Sequence, residues 1–346
     1  MKKILALLFI VSFVIALIES IYIYQTEFLK KDIIKAKFIP KPLLSYTFEN
    51  LRNTKFPKNQ ITFGDVVSET DDSFAQIFYF SVPKTPGGKT MEQVSGLANI
   101  PKETGTYPVI VMLRGFIPED IFESGIGTQP SAKELAKNGF ITLAPDFLGF
   151  GQSASPSGNS FESKFQTYTT ALTLLSSLPT LNSGLDPNYV GTISADLQKI
   201  GIWGHSNGGH IALSALAISG KSYPTVLWAP VSKSFPYSIL YYTDESDDQG
   251  KAMRKSLADF EELYDTKFFS PEKYFKWIKT PILINQGLSD QEVPYWWSDE
   301  LVEVLKEDDV DVTYFTYPGA NHNLLPSGWE SAVTNTIDFY KQEFDK

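Results

Sequence analysis

Apolar and polar residues alternate through the runs Ile61 to Val67, Gln76 to Val82 and Val94 to Ile100, which Asp71-Asp72 and Pro86-Gly87-Gly88 interrupt. Period-two runs separated by turn residues predict strands joined in an antiparallel meander. After residue 105 the rhythm changes to short apolar runs separated by helical stretches. Val109 to Leu113, Ile141 to Ala144, Ile200 to Trp203, Thr225 to Trp228, Ile282 to Asn285 and Val312 to Tyr317 read as strands. That alternation predicts an α/β fold, with parallel strands joined by crossover helices. Ser131 and Glu134 have capping-box spacing and Gly139 stands where a helix should stop, so a crossover helix is expected between them. Phe161 to Leu178 and Trp329 to Phe344 also read as helices, and the polar, aromatic-rich stretch 232–280 reads as an insertion that could form a lid.

The N-terminus has a different character. Lys2 and Lys3 precede fifteen uncharged, almost wholly apolar residues from Ile4 to Ile18, the layout of a secretory signal. The apolar character resumes at Ile21 to Tyr24, and as one helix positions 4–24 would span about 31 Å, enough for a bilayer core. The expectation is an uncleaved anchor at 1–24 that brings the chain to a membrane and places its folded domain outside the cytoplasm. Cleavage after Ser20 would give a secreted form instead. Lys30, Lys31, Lys35, Lys37 and Lys41 follow the span and pull the other way, because basic residues prefer the cytoplasmic side. Residues 25–43 read as a linker, and 44–346 as the folded domain.

Composition narrows the chemistry. Hydrophobic residues make up 42% and aromatics 14% of 346 residues, which is the content of a globular chain. A net charge of −10 lacks the field that gathers phosphates, so nucleic acid is not an expected partner. With no cysteine, thiolate metal sites, iron–sulfur clusters and a cysteine nucleophile are excluded. Gly88-Lys89-Thr90 resembles the end of a phosphate loop, but Pro83 stands where the first glycine should be, so it reads as a turn. No metal-ligand or dinucleotide spacing occurs, and neither metal nor cofactor is expected.

Gly204-His205-Ser206-Asn207-Gly208 fits G-x-S-x-G and lies between the strand Ile200 to Trp203 and a helical run to Ile218. A sharp strand-to-helix turn lifts a serine hydroxyl above the sheet, which makes Ser206 the candidate nucleophile. A serine hydroxyl needs a base. His205 and His210 lie in or just after the turn and read as packing residues. His322 follows the last strand, where a base belongs. Asp290 follows Ile282 to Asn285 and is the candidate orienting acid, with Glu292 as a rival; Asp146 precedes the nucleophile and reads as structural. The backbone N–H groups of Asn207 and Phe116, the latter in Arg114-Gly115-Phe116 after Val109 to Leu113, are the candidate oxyanion donors. Arg114 itself reads as a surface or ion-pair residue, with binding of a substrate carboxylate as the alternative, while Trp296 and Trp297 could line a pocket or pack.

Together, Gly204 to Gly209, the Gln286 to Pro294 segment and Tyr317 to His322 resemble the catalytic domain of the prolyl oligopeptidase family, over roughly Pro108 to Phe344. The resemblance implies an α/β-hydrolase fold, with Ser206, Asp290 and His322 at the triad positions and Asn207 at the oxyanion hole. The region ahead of the domain is far too short for the β-propeller that many members use to screen peptides. Small esterases share the same core, so the implied reaction is acyl transfer to water from an ester or a short peptide. The competing reading is an α/β-hydrolase fold that binds a ligand without turning it over.

Overall fold

The computed structural model of the chain describes residues 2–32, 40–189, 192–243 and 246–346. They divide into two units, one ending at Pro42 and the other spanning Leu43–Lys346.

The first unit is helix α1 (Lys2–Asp32), so the expected linker is helical from residue 25 as far as Asp32, and its residues 33–39 lie outside the described residues. Among the described residues no helix is long and apolar enough to cross a membrane. The apolar side chains of Val11, Phe13, Ile15, Leu17 and Ile18 are exposed along α1.

The described residues of the second unit form one nine-stranded sheet. Its strands are β1 (Thr62–Glu69), β2 (Ser73–Pro83), β3 (Met91–Pro101), β4 (Gly105–Leu113), β5 (Ile141–Pro145), β6 (Ile193–His205), β7 (Thr225–Trp228), β8 (Ile282–Gly287) and β9 (Val312–Tyr317). They lie in the order β1-β2-β3-β5-β4-β6-β7-β8-β9. β1, β2 and β3 form the antiparallel meander, and β3 pairs antiparallel with β5. From β5 onward every pairing is parallel. Lys84 N–H bonds to Thr90 O across the β2–β3 connection, so Gly88-Lys89-Thr90 is indeed a hairpin turn.

Nine helices of this unit are described: α2 (Phe48–Asn53), α3 (Gln129–Lys137), α4 (Ser160–Ser177), α5 (Leu181–Tyr189), α6 (Asn207–Ser219), α7 (Tyr237–Leu240), α8 (Lys251–Glu261), α9 (Tyr295–Glu307) and α10 (Trp329–Phe344). Alternation along the central strands divides the core between the two sheet faces. Val109, Val111 and Leu113 of β4 join one apolar cluster with α4 and α6, whereas Ile110 and Met112 join a second with α3 and α10. This two-sided cover explains why Val109–Leu113, β5 and β7 are continuous buried runs.

Two expectations need correction. Helix α3 starts at Gln129 with Pro130 in its first turn, so Ser131 lies inside it and is not a cap; Thr128, at the cap position, turns its hydroxyl back to Gly125 O at 3.0 Å. Gly139 does stand beyond the helix end, at φ +84°. Strand β6 begins at Ile193 rather than Ile200, because it pairs with β4 on both sides of an irregularity that takes Pro108–Asp196 to Val109–Ile200. The stretch 232–280 forms α7, α8 and 3₁₀ turns whose Phe235, Phe260 and Phe269 rings pack on Phe165 of α4 at 5.4, 6.3 and 5.0 Å. Part of its aromatic content thus belongs to the core, while Tyr237 and Tyr241 are exposed.

Candidate active site

From β4 the chain first adds β5 on one side and then crosses to β6 on the other. The strand order reverses there, which opens a crevice at the carboxyl ends of β4 and β6. Ser206 stands at that point, between the end of β6 and the start of α6, with φ +56° and ψ −123°. A non-glycine residue is strained in this conformation, and here the surroundings impose it. Ser206 N–H bonds to Trp228 O at 3.0 Å, while its own carbonyl accepts from Gly209 N and Val231 N at 2.9 and 3.0 Å. The glycines of the pentad are obligatory. A Cβ on Gly208 would lie 1.8 Å from Leu113 O, and one on Gly204 would lie 2.7 Å from Gly208 O.

The loops after β8 and β9 converge although their key residues are 32 apart in sequence. Leu288 N bonds to Tyr317 O at 3.0 Å and Ser289 N to Ala320 O at 2.9 Å. Gly287 allows this approach, since a Cβ there would lie 2.4 Å from the carbonyl oxygens of Ala320 and Asn321. His322 Nδ1–H then donates to Asp290 Oδ2 at 2.9 Å, and the Asp290 side chain is fully buried. Asp290 Oδ1 accepts from the N–H groups of Glu292 and Val293, each at 2.9 Å. Gln286 Nε2 donates to Oδ2 at 3.1 Å, and Ser298 holds the other end of that amide at 2.7 Å. The carboxylate is thus fixed from four sides. The rival Glu292 is an exposed side chain whose Oε2 stands 3.8 Å from the opposite ring nitrogen, His322 Nε2.

His205, next to the serine, reaches the same loop. Its ring lies 4.6 Å from that of His322, and its Nε2 is 3.1 Å from the His322 carbonyl oxygen. Since a carbonyl only accepts, the tautomer is Nε2–H. Burial, reinforced by the neighbouring His322, holds the His205 pKa down to about 3, so the ring is neutral at pH 7. His210 is buried beneath α4 against the Tyr168 hydroxyl at 2.9 Å, and burial pushes its pKa well down too. The structure therefore brings Asp290 and His322 into contact and ties His322 to the residue beside Ser206. Among the described residues the Ser206 hydroxyl has no hydrogen-bond partner.

On the other side of the crevice Gly115 lies against the serine: a Cβ on it would be 3.0 Å from Ser206 Cβ and 3.5 Å from Oγ. Among the described residues the N–H groups of Asn207 and Phe116 have no acceptor. Arg114 is buried rather than on the surface, and its guanidinium bonds to main-chain carbonyls, not to a carboxylate. Asp146 is structural, as expected: Ser95 and Ser124 donate to its Oδ2 at 2.6 and 2.7 Å. Trp297 is buried among Tyr237, Tyr241 and Tyr242, whereas Trp296 is half exposed. A cavity of about 340 Å³ lies beside His205, lined by Trp203, Trp228, Trp329 and Leu325. Among the described residues no three His, Asp or Glu side chains are grouped to hold a metal ion. Sequence reasoning missed Gln286 and the reach of His205. The only signal for Gln286 was a polar residue inside the apolar run of β8.

Residues 191–346 match the sequence profile of the prolyl oligopeptidase family, and residues 88–228 match the profile described as chlorophyllase. The mouse acylamino-acid-releasing enzyme is 26% identical over 162 residues, which are 41% of this chain and 20% of that enzyme. The chain thus spans about a fifth of the length of that relative. The acetyl xylan esterase from Paenibacillus sp. R4 superposes with a TM-score of 0.57 at 17% identity, covering 84% of this chain and 91% of that one. Acetyl xylan esterase 1 from Thermoanaerobacterium sp. JW/SL YS485 gives a TM-score of 0.52 at 16% identity, covering 87% and 94%. The chain has the α/β-hydrolase fold, and over residues 191–346, rather than from Pro108 onward, the resemblance to the prolyl oligopeptidase catalytic domain stands.

Proposed function

We propose that this protein is a serine hydrolase that transfers the acyl group of an ester or short peptide to water through a covalent acyl-enzyme. The observation that carries the reading is the Asp290–His322 pair, held at 2.9 Å in the loops at the carboxyl edge of the sheet and tied through His205 to the strained turn at Ser206. Strain of this kind costs about 1–3 kcal/mol and persists where a function requires the geometry.

In this reading Ser206 Oγ attacks the acyl carbon as His322 Nε2 takes its proton, and Asp290 stabilises the imidazolium. The tetrahedral oxyanion accepts hydrogen bonds from the N–H groups of Asn207 and Phe116, which have no acceptor among the described residues. Collapse expels the alcohol or amine, which takes the proton from His322. Water then repeats the sequence against the acyl-serine and releases the acid. The Oγ–Nε2 hydrogen bond is of the kind that tightens when substrate binds.

Turnover of p-nitrophenyl esters beside aminoacyl and dipeptidyl amides tests the reading and separates esterase from peptidase. Wild type is expected to hydrolyse members of one series, and Ser206→Ala none; equal rates for the two proteins would overturn it. For location, we propose that the N-terminal segment holds the protein at a membrane with the catalytic unit outside the cytoplasm, on the strength of the charged and apolar layout of residues 2–24. Fractionation of cells expressing the full chain tests this, since recovery wholly in the cytosol would contradict it.

A further inference from the structure

We infer that Arg114 is a positioning residue that aims the Phe116 N–H at the developing oxyanion. The inference rests on the reading of Ser206 as nucleophile.

A buried cation needs explanation, because desolvation costs several kcal/mol unless the surroundings replace water. Arg114 is only 7% exposed. Its guanidinium lies 4.2, 4.7 and 5.4 Å from the ring centres of Phe150, Phe122 and Phe147, which supply cation–π attraction. The Asp146 carboxylate contributes at longer range, while its Oδ2 is occupied by Ser95 and Ser124. The hydrogen bonds of the guanidinium go to backbone: Nη1–H to Gly115 O at 3.0 Å and Nη2–H to Asp146 O at 2.8 Å.

The first of these bonds has a directional consequence. Gly115 C=O and Phe116 N–H belong to one peptide unit, and in a trans peptide the two point in opposite directions. Fixing the oxygen on Arg114 therefore turns the N–H away from the guanidinium. Gly115 has no Cβ, so its backbone would otherwise rotate freely. The Phe116 side chain offers no anchor, being 76% exposed. Among the described residues the bond to Arg114 is the only hydrogen bond this peptide unit makes. A charged donor on the carbonyl also polarises the unit and strengthens its N–H as a donor.

The test compares Arg114→Met and Arg114→Lys with wild type on an ester substrate, and measures the affinity of a boronic acid that forms a tetrahedral adduct. In Arg114→Met the expectation is a fall in kcat of about 10- to 100-fold with KM within about threefold, on the scale of a weakened oxyanion donor. Boronic acid affinity should fall by a similar factor, and Arg114→Lys should fall between the two. A kcat within about threefold of wild type in Arg114→Met would overturn the inference. Should neither variant fold, the structure of a wild-type boronate adduct decides: Phe116 N within hydrogen-bond distance of the adduct oxygen supports it, and a peptide flipped away from Arg114 overturns it. A wild-type protein inert to both ester and boronic acid would instead remove the underlying hydrolase reading.

Discussion

His205 donates from Nε2 to the main-chain carbonyl of His322 at 3.1 Å, joining the turn that carries Ser206 to the loop that carries the candidate base. The bond itself favours a charged ring, but burial, reinforced by the neighbouring His322, outweighs it and holds the His205 pKa down to about 3.

Acid should therefore loosen the fold. In the unfolded chain His205 takes up a proton near pH 6.5, whereas in the folded state it does so only near 3, so between these values the unfolded state binds more protons. The stabilisation is fully present above about pH 6.5 and is lost as pH falls toward 3, with a slope of at most about 1.4 kcal/mol per pH unit per histidine. The pKa of His210 is shifted in the same direction. Melting temperatures measured from pH 8 to 4 should decline below 6.5, less steeply in His205→Gln. An unchanged slope in that variant would contradict the assignment.

The backbone conformation at Ser206 predicts a gain in stability at the expense of activity. Ser206→Gly removes the Cβ from a residue at φ +56° and should stabilise the fold by about 1 kcal/mol, while abolishing turnover. Calorimetry checks this. A lower melting temperature would mean that the turn is not strained.

The two carboxylates near His322 should differ sharply in effect. Asp290→Asn disturbs the partner of Nδ1–H and is expected to lower kcat by roughly 10³- to 10⁴-fold, the scale for an orienting acid in a serine triad. Glu292→Gln alters an exposed group 3.8 Å from Nε2 and should leave kcat within about threefold. Steady-state kinetics on one ester decides, and a reversed ranking would make Glu292 the orienting acid.

Close packing at the pentad gives a stability contrast. Gly208→Ala places a methyl 1.8 Å from Leu113 O and should cost about 3 kcal/mol or more, whereas Gly158→Ala meets nothing within 4 Å and should be nearly neutral. Denaturant titration of the two variants checks the difference.

Much of this architecture is legible in the residues. Thr225–Trp228 is found where its apolar run begins and ends, because a buried parallel strand has sharp hydrophobic edges. The order Ser206, Asp290, His322 is readable for a similar reason: each follows a strand and so falls on one edge of the sheet. The start of β6 is hidden, since Ser194, Asp196, Gln198 and Lys199 interrupt the apolar run, although Ile193 and Ala195 are buried. The roles of Gln286 and Arg114 are hidden more deeply. Both depend on which loops meet in space, and local pattern does not encode the partner of a buried polar side chain.

The central claim is that His322 activates the Ser206 hydroxyl. Incubation of the full chain with a fluorophosphonate, followed by intact-mass and peptide mass spectrometry, measures it most directly. The account predicts one stoichiometric adduct on Ser206, slowed at least about 10²-fold in His322→Ala and absent in Ser206→Ala. An adduct on another residue, or labelling of His322→Ala at the wild-type rate, would contradict it.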